Sequence, residues 1–131
     1  MTEFFMAMIP PTITAQQRQV TVRNGKPYFY EPAELKEAKA KLRAYLAPHR
    51  PDTPYETGVM LVAKWLFPIQ GTKHKDGSYR ITKPDTDNLQ KMLKDVMTDL
   101  HFWKDDALVC SEHVEKFWAE RPGIYIAIME V

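Results

Sequence analysis

Between residues 83 and 106 the chain reads K-P-D-T-D-N-L-Q-K-M-L-K-D-V-M-T-D-L-H-F-W-K-D-D, with Asp85 and Asp87 ahead of one amphipathic segment and Asp105 and Asp106 behind it. Asp85 and Asp87 flank Thr86, and side chains two apart share a face wherever the backbone is extended. Two carboxylates so placed repel each other unless a positive charge sits between them. Mg²⁺, or Mn²⁺ in its place, is the natural partner: a hard divalent ion takes a few carboxylate oxygens plus water and keeps coordination sites open for a phosphate. Lys91 follows Asp87 by four residues, one helical turn onward on the same face, within reach of an anion held there.

Each acid also has a plainer reading. Asp87 with Gln90 three residues later fits a capping box, Asp85 adds favourable charge near a helix N-terminus, and Asp105 with Asp106 makes a polar turn. For any single acid, capping or turning is the more ordinary role. The constellation of acids and lysine around one helix favours a cation site.

The helix that must position these groups is strongly patterned. Leu89, Met92, Leu93, Val96, Met97 and Leu100 form an apolar stripe at helical spacing, with Lys91, Lys94, Asp95 and Thr98 on the other side. Upstream, residues 4 to 9 predict a short strand stopped by Pro10 and Pro11, and residues 12 to 17 an extended polar stretch. Val20 and Val22 lead to Asn24-Gly25, a strong hairpin signal, with Tyr28 to Tyr30 returning. Pro32 opens a first helix with Leu35, Ala38, Leu42, Tyr45 and Leu46 as its stripe, ended by Pro48, Pro51 and Pro54. Val59 to Phe67 predicts a central buried strand. Ala107 to Phe117 and Ile124 to Val131 predict two more, joined by the turn Arg121-Pro122-Gly123. Lys116 falls on the first of these, within reach of the acidic site, with a solvent-facing role as the default. The pattern as a whole predicts an α+β fold, a small mixed sheet with two helices packed on one face, in a single domain over residues 1–131.

The polar loop 69–82 carries Lys73, Lys75 and Arg80 just before the acids, with Lys83 beside them. A mobile basic loop there is placed to grip a nucleic-acid backbone, and Tyr79 or His74 to stack on an exposed base; a plain surface excursion is the alternative. Net charge is only +1, which alone argues against a nucleic-acid enzyme. Its distribution argues otherwise: residues 64 to 94 hold seven Lys or Arg against three acids, and residues 95 to 131 three against eight, so one positive face is available. The four histidines lack zinc-ligand spacing. The single cysteine, Cys110, excludes an internal disulfide and reads as a small strand residue. Neither a membrane span nor a signal peptide is expected, and the expected location is cytoplasmic. Phe102 and Trp103 are expected to anchor the end of the helix rather than form a dimer seam.

The run Lys83-Pro-Asp85-Thr-Asp87-Asn88-Leu-Gln-Lys91, followed by the helix, Phe102-Trp103 and Asp105-Asp106 ahead of a strand, resembles the RusA family of Holliday junction resolvases, small phage and prophage endonucleases. The resemblance is strongest over residues 80 to 116; Met8-Ile9-Pro10-Pro11 and Tyr28-Phe29-Tyr30-Glu31-Pro32 also resemble the family's opening elements. It places an acidic triad on Asp85, Asp87 and Asp106 as metal ligands and a catalytic lysine on Lys91, with Asn88 and Asp105 in support. It implies Mg²⁺-dependent phosphodiester hydrolysis on four-way DNA junctions by a homodimer whose two centres make paired cuts. The chain departs from the family in the turn before the acid pair, where His101 stands near the place of a usual glycine. Two other functions stay open: a non-catalytic DNA- or partner-binding protein whose acids are caps and turns, and a nuclease of the same fold that prefers other branched DNA.

Overall fold

The computed structural model describes residues 1–14 and 19–131, so the stretch expected over 12–17 lies partly outside the described residues. Strand β1 (Thr2–Met6) is followed by a hairpin of β2 (Gln19–Arg23) and β3 (Lys26–Tyr30), helix α1 (Ala33–Leu46), strand β4 (Val59–Pro68), helix α2 (Thr86–Asp99), and strands β5 (Val109–Ala119) and β6 (Gly123–Glu130). The hairpin turns on Asn24 and Gly25, both at positive φ (53° and 74°), with Arg23 opposite Lys26. Two successive left-handed residues match the twist of paired strands, which is why Asn-Gly is favoured there.

Four strands form one mixed sheet in the order β1-β6-β4-β5. β6 runs antiparallel to β1 and β4, whereas β5 runs parallel to β4. A parallel pair needs a crossover, and α2 supplies it. β4 is central, but its burial alternates: Val59, Leu61, Ala63, Trp65 and Phe67 are buried, while Met60, Val62, Lys64 and Leu66 are only partly covered. The expectation of a strand buried on both faces is therefore corrected, because both helices lie on one face of the sheet.

Helix α2 buries Leu89, Met92, Leu93, Val96 and Met97 completely against that face. From α1 come Leu35, Leu42 and Leu46; Tyr45, expected in the stripe, is 40% exposed. Arg43 of α1 and Asp99 of α2 join the helices at 2.9 Å. Phe102 and Trp103 are fully buried, so they anchor the end of α2, and the Trp103 indole donates to the Thr98 hydroxyl at 2.8 Å. The helix closes with paired bonds, His101 N to Thr98 O and Phe102 N to Met97 O, both 3.0 Å, around His101 at φ 63°. That bonding pattern normally carries glycine at the left-handed residue.

Candidate active site

The start of α2 is set by the residue before it. Pro84 is buried behind a cis peptide bond, Asp85 is extended (φ −75°, ψ 148°), and its carbonyl accepts the first helical bond, from Leu89 N at 3.1 Å. The helix thus begins between the two acids. Asp85 stands just outside the first turn and Asp87 inside it, so their relation is that of a helix N-terminus and not of one extended strand. The N-cap belongs to Asp85 with no side-chain capping bond, and the expected box of Asp87 with Gln90 is absent. Asp87 Oδ1 instead accepts from its neighbour Asn88 N at 3.0 Å. Asp87 and Lys91 are exposed on successive turns of α2, while Asn88 is buried. Asp85 Oδ2 already holds a cation, the Lys83 ammonium at 3.0 Å.

The loop before Asp85 is tied to the edge of β5 rather than loose. Gly77 N donates to Trp118 O and Trp118 N to Ser78 O, each at 2.8 Å, and Arg80 N donates to Lys116 O at 2.9 Å. Arg80 lies over the Phe67 and Trp118 rings, 4.4 and 4.5 Å from their centroids, and its guanidinium donates to the Thr82 hydroxyl and the Lys83 carbonyl. Burial pulls its pKa below the usual guanidinium range. Expected on DNA, Arg80 is occupied in shaping this loop. Lys116, on β5, donates to Thr82 O and Pro84 O, each at 2.7 Å, and clamps the residues that lead into Asp85. Burial first, then the charge of Arg80, holds its ammonium pKa below the usual lysine range.

Asp105 and Asp106 stand at the other end of α2. Asp105 caps a single 3-10 turn, Asp106–Leu108, by accepting from Ala107 N at 2.8 Å, so it is a turn residue. Asp106 is exposed at the start of that turn. Cross-contacts fix the direction of α2 against β5: Lys116 meets Pro84, and Lys94 meets Glu112 at 2.5 Å, further back along the strand. A helix of 14 residues spans about 20 Å at 1.5 Å per residue, and that length separates Asp85 and Asp87 from Asp106. Among the described residues no three acids, histidines or cysteines lie close enough together to hold an ion. Within one chain, then, Asp85, Asp87 and Asp106 are not gathered into a single cluster among the described residues.

Of the remaining expected contacts, Lys73, Lys75 and Lys83 are exposed on the loop beside Asp85. His74 is stacked on Trp118, with ring centroids 4.1 Å apart, so it is not poised for a base. Tyr79 stays exposed, its ring on Phe117 and its hydroxyl donating to Glu115 at 2.6 Å. Cys110 lies on β5 as expected but is exposed. A cleft of about 430 Å³ lies at the far end of α2, lined by Ala47, Arg50, Asp52, Leu100 and His101 among others, and away from Asp85.

Two arrangements escape a reading of the sequence. The partners of Lys116 are one: its place near the site is legible, but the Thr82 and Pro84 carbonyls it holds lie 34 and 32 residues away and nothing local marks them. The other is a chain under α2: the Trp65 indole donates to Gln90 Oε1 at 3.0 Å, and Gln90 Nε2 donates to Glu112 at 3.2 Å. It fixes the rotation of α2, and so the directions of Asp87 and Lys91. A glutamine at an inward position of the apolar stripe was the one available signal.

A carboxylate pair and a lysine thus stand at the clamped start of a helix, beside a basic loop on an α+β sheet. The model of the family described as endodeoxyribonuclease RusA matches residues 9–129, and the chain belongs to that family. It is 30% identical over 130 residues to the protein named crossover junction endodeoxyribonuclease rusA of Lactococcus phage r1t, covering 98% of this chain and 96% of the relative. It is also 33% identical over 121 residues to YqaN, an uncharacterized protein of Bacillus subtilis (strain 168), covering 85% of this chain and 84% of the relative.

Proposed function

We propose that the protein is a homodimeric, Mg²⁺-dependent endonuclease that resolves four-way DNA junctions during recombination and repair, with Mn²⁺ able to replace Mg²⁺. The observation that carries this reading is the half-buried Asp85 with the exposed Asp87 and Lys91 on one clamped helix start, in a chain matching a crossover junction endodeoxyribonuclease over nearly its whole length. The carboxylates Asp85, Asp87 and Asp106 suit a hard divalent ion, and the ammonium of Lys83 on Asp85 marks the attraction of that carboxylate for a cation. Such an ion, when bound, lowers the pKa of water and offsets charge on the scissile phosphate.

The distance along α2 supports the dimer. A two-fold axis across the middle of α2 sets Asp106 of one copy beside Asp85 and Asp87 of the other, and does so twice. Each centre then draws its acids from both copies. Lys91 places positive charge where negative charge grows on the phosphate in the transition state. Lys73, Lys75 and Lys83 hold the backbone on either side of the cut without reading sequence. No helix among the described residues is long and apolar enough to cross a membrane.

The test is cleavage of a synthetic four-way junction beside matched linear duplex and flap substrates, in Mg²⁺ or EDTA, with wild type and Asp87→Asn. Paired symmetric nicks that need both Mg²⁺ and Asp87 are expected. Binding without nicking of any substrate would leave a DNA-binding protein whose acids are structural, and preferential cutting of flaps would move the substrate to other branched DNA.

A further inference from the structure

We propose that Ile81, with Tyr79 beside it, is the wedge that enters the branch point of the DNA and parts its bases; the inference rests on the junction-cleaving reading above. Ile81 is 91% exposed, on the segment that leads straight into Asp85. Single exposed apolar residues are ordinary on protein surfaces, so exposure alone decides nothing. What distinguishes Ile81 is its support. On one side Arg80 is bonded through its backbone to Lys116 O and through its guanidinium to Thr82 and Lys83, and stacked on Phe67 and Trp118. On the other side the Thr82 carbonyl is held by Lys116 at 2.7 Å. The side chain is therefore carried on a fixed base and keeps its position against a load.

Tyr79 stands two residues earlier and is 61% exposed although its ring rests on Phe117 and its hydroxyl bonds to Glu115. Two exposed apolar side chains thus lie close in sequence, with exposed Lys73, Lys75 and Lys83 on the same loop and Asp85 four residues beyond Ile81. Lysines take backbone phosphates, and an aliphatic side chain takes a surface that is itself apolar. Base faces are such a surface, and they open to a protein where stacking is interrupted, as at a branch. Apolar wedges of isoleucine, leucine or phenylalanine act in this way when they unstack base steps. An intact duplex offers phosphate to the lysines and nothing to Ile81, so the wedge also selects branched over linear DNA.

The test uses a four-way junction with 2-aminopurine at the branch point, bound in EDTA so that no cutting occurs, followed by cleavage in Mg²⁺. Wild type is expected to brighten the probe. Ile81→Ser, a change at an exposed position, is expected to bind nearly as tightly and leave the probe dark. Its cutting of the intact junction should be roughly tenfold to a hundredfold slower, the range that burial of one isoleucine side chain supports. A junction with unpaired bases built into the branch should return much of that rate. Equal brightening and equal rates for wild type and Ile81→Ser would overturn the wedge while leaving the junction-cleaving reading intact. Sedimentation of Ile81→Ser as a smaller species than wild type would overturn it in favour of a contact between copies. A wild type that neither binds nor cuts branched DNA would overturn both.

Discussion

Lys116 donates to the carbonyl oxygen of Pro84, joining the middle of β5 to the residue that precedes Asp85. With its second bond, to Thr82 O, this one ammonium holds the approach to the first acid at two points. Lys116→Met keeps the length of the side chain and removes the donor. It should lower stability by about 1 kcal/mol, the net worth of such a bond at a partly exposed site. Nicking of a junction should fall more than binding does. Urea unfolding beside cleavage and binding assays checks this, with Lys116→Arg expected to return part of the loss. Unchanged cleavage in a stable Lys116→Met protein would remove Lys116 from the positioning of Asp85.

If each centre draws acids from two copies, inactive variants should complement. Asp87→Asn and Asp106→Asn are each expected to abolish cleavage and to keep or tighten junction binding, because a negative charge beside phosphate is lost. Mixed after unfolding and refolding together, they form heterodimers with one centre doubly damaged and one intact. Such mixtures should nick one strand where wild type cuts a pair. Silence of the mixture, in the presence of heterodimers shown by mass, would place all the acids of a centre on one chain.

The Tyr79 hydroxyl on Glu115 holds that carboxyl below the usual range, and Glu115 in turn holds the phenol above its own. A carboxyl with a depressed folded pKa contributes stability above its unfolded pKa and loses it as the pH falls. A phenol with a raised folded pKa contributes below its unfolded pKa and loses it as the pH rises. The bond should therefore matter between the carboxylate and phenol ranges and vanish at both extremes. In Tyr79→Phe the Glu115 pKa should move up, as followed by NMR of its side-chain carboxyl. An unmoved Glu115 would mean that His113 and Lys64 set its value.

His101 occupies the left-handed position that ends α2, at φ 63°. A non-glycine residue there costs roughly 1–2 kcal/mol, against which glycine adds some freedom to the unfolded chain. His101→Gly should stabilise the protein by about 0.5–1 kcal/mol, read as a higher Tm. A lower Tm would show that the imidazole makes contacts worth more than the strain.

Much of the fold was legible because it rests on short-range patterns. The stripe of α2 from Leu89 to Leu100, the Asn24-Gly25 turn and the alternation of Ile124, Ile126 and Ile128 each follow from local periodicity, and each is where it was expected. The acids were legible as residues and not as a site. Spacing along a chain cannot tell whether a helix carries its two ends together or apart, and α2 carries Asp85 and Asp106 apart. Arg80 and Lys116 were read as surface charges because their partners, Trp118 and Pro84, are distant in sequence. The start of α2 was misplaced because Asp87 resembles a cap as closely as Asp85 does, and only the extended backbone of Asp85 decides between them.

The length of α2 also works as a ruler and a dial at once. One residue inserted between Asp87 and Thr98 would move the Asp106 turn by only about 1.5 Å, yet it would swing that turn by about 100° around the helix axis. The spacing between the two acidic ends therefore tolerates change in whole turns far better than in single residues, and the bond from Trp65 to Gln90 sets the zero of the dial. In the proposed two-fold assembly the same ruler would set how far apart the two cuts fall.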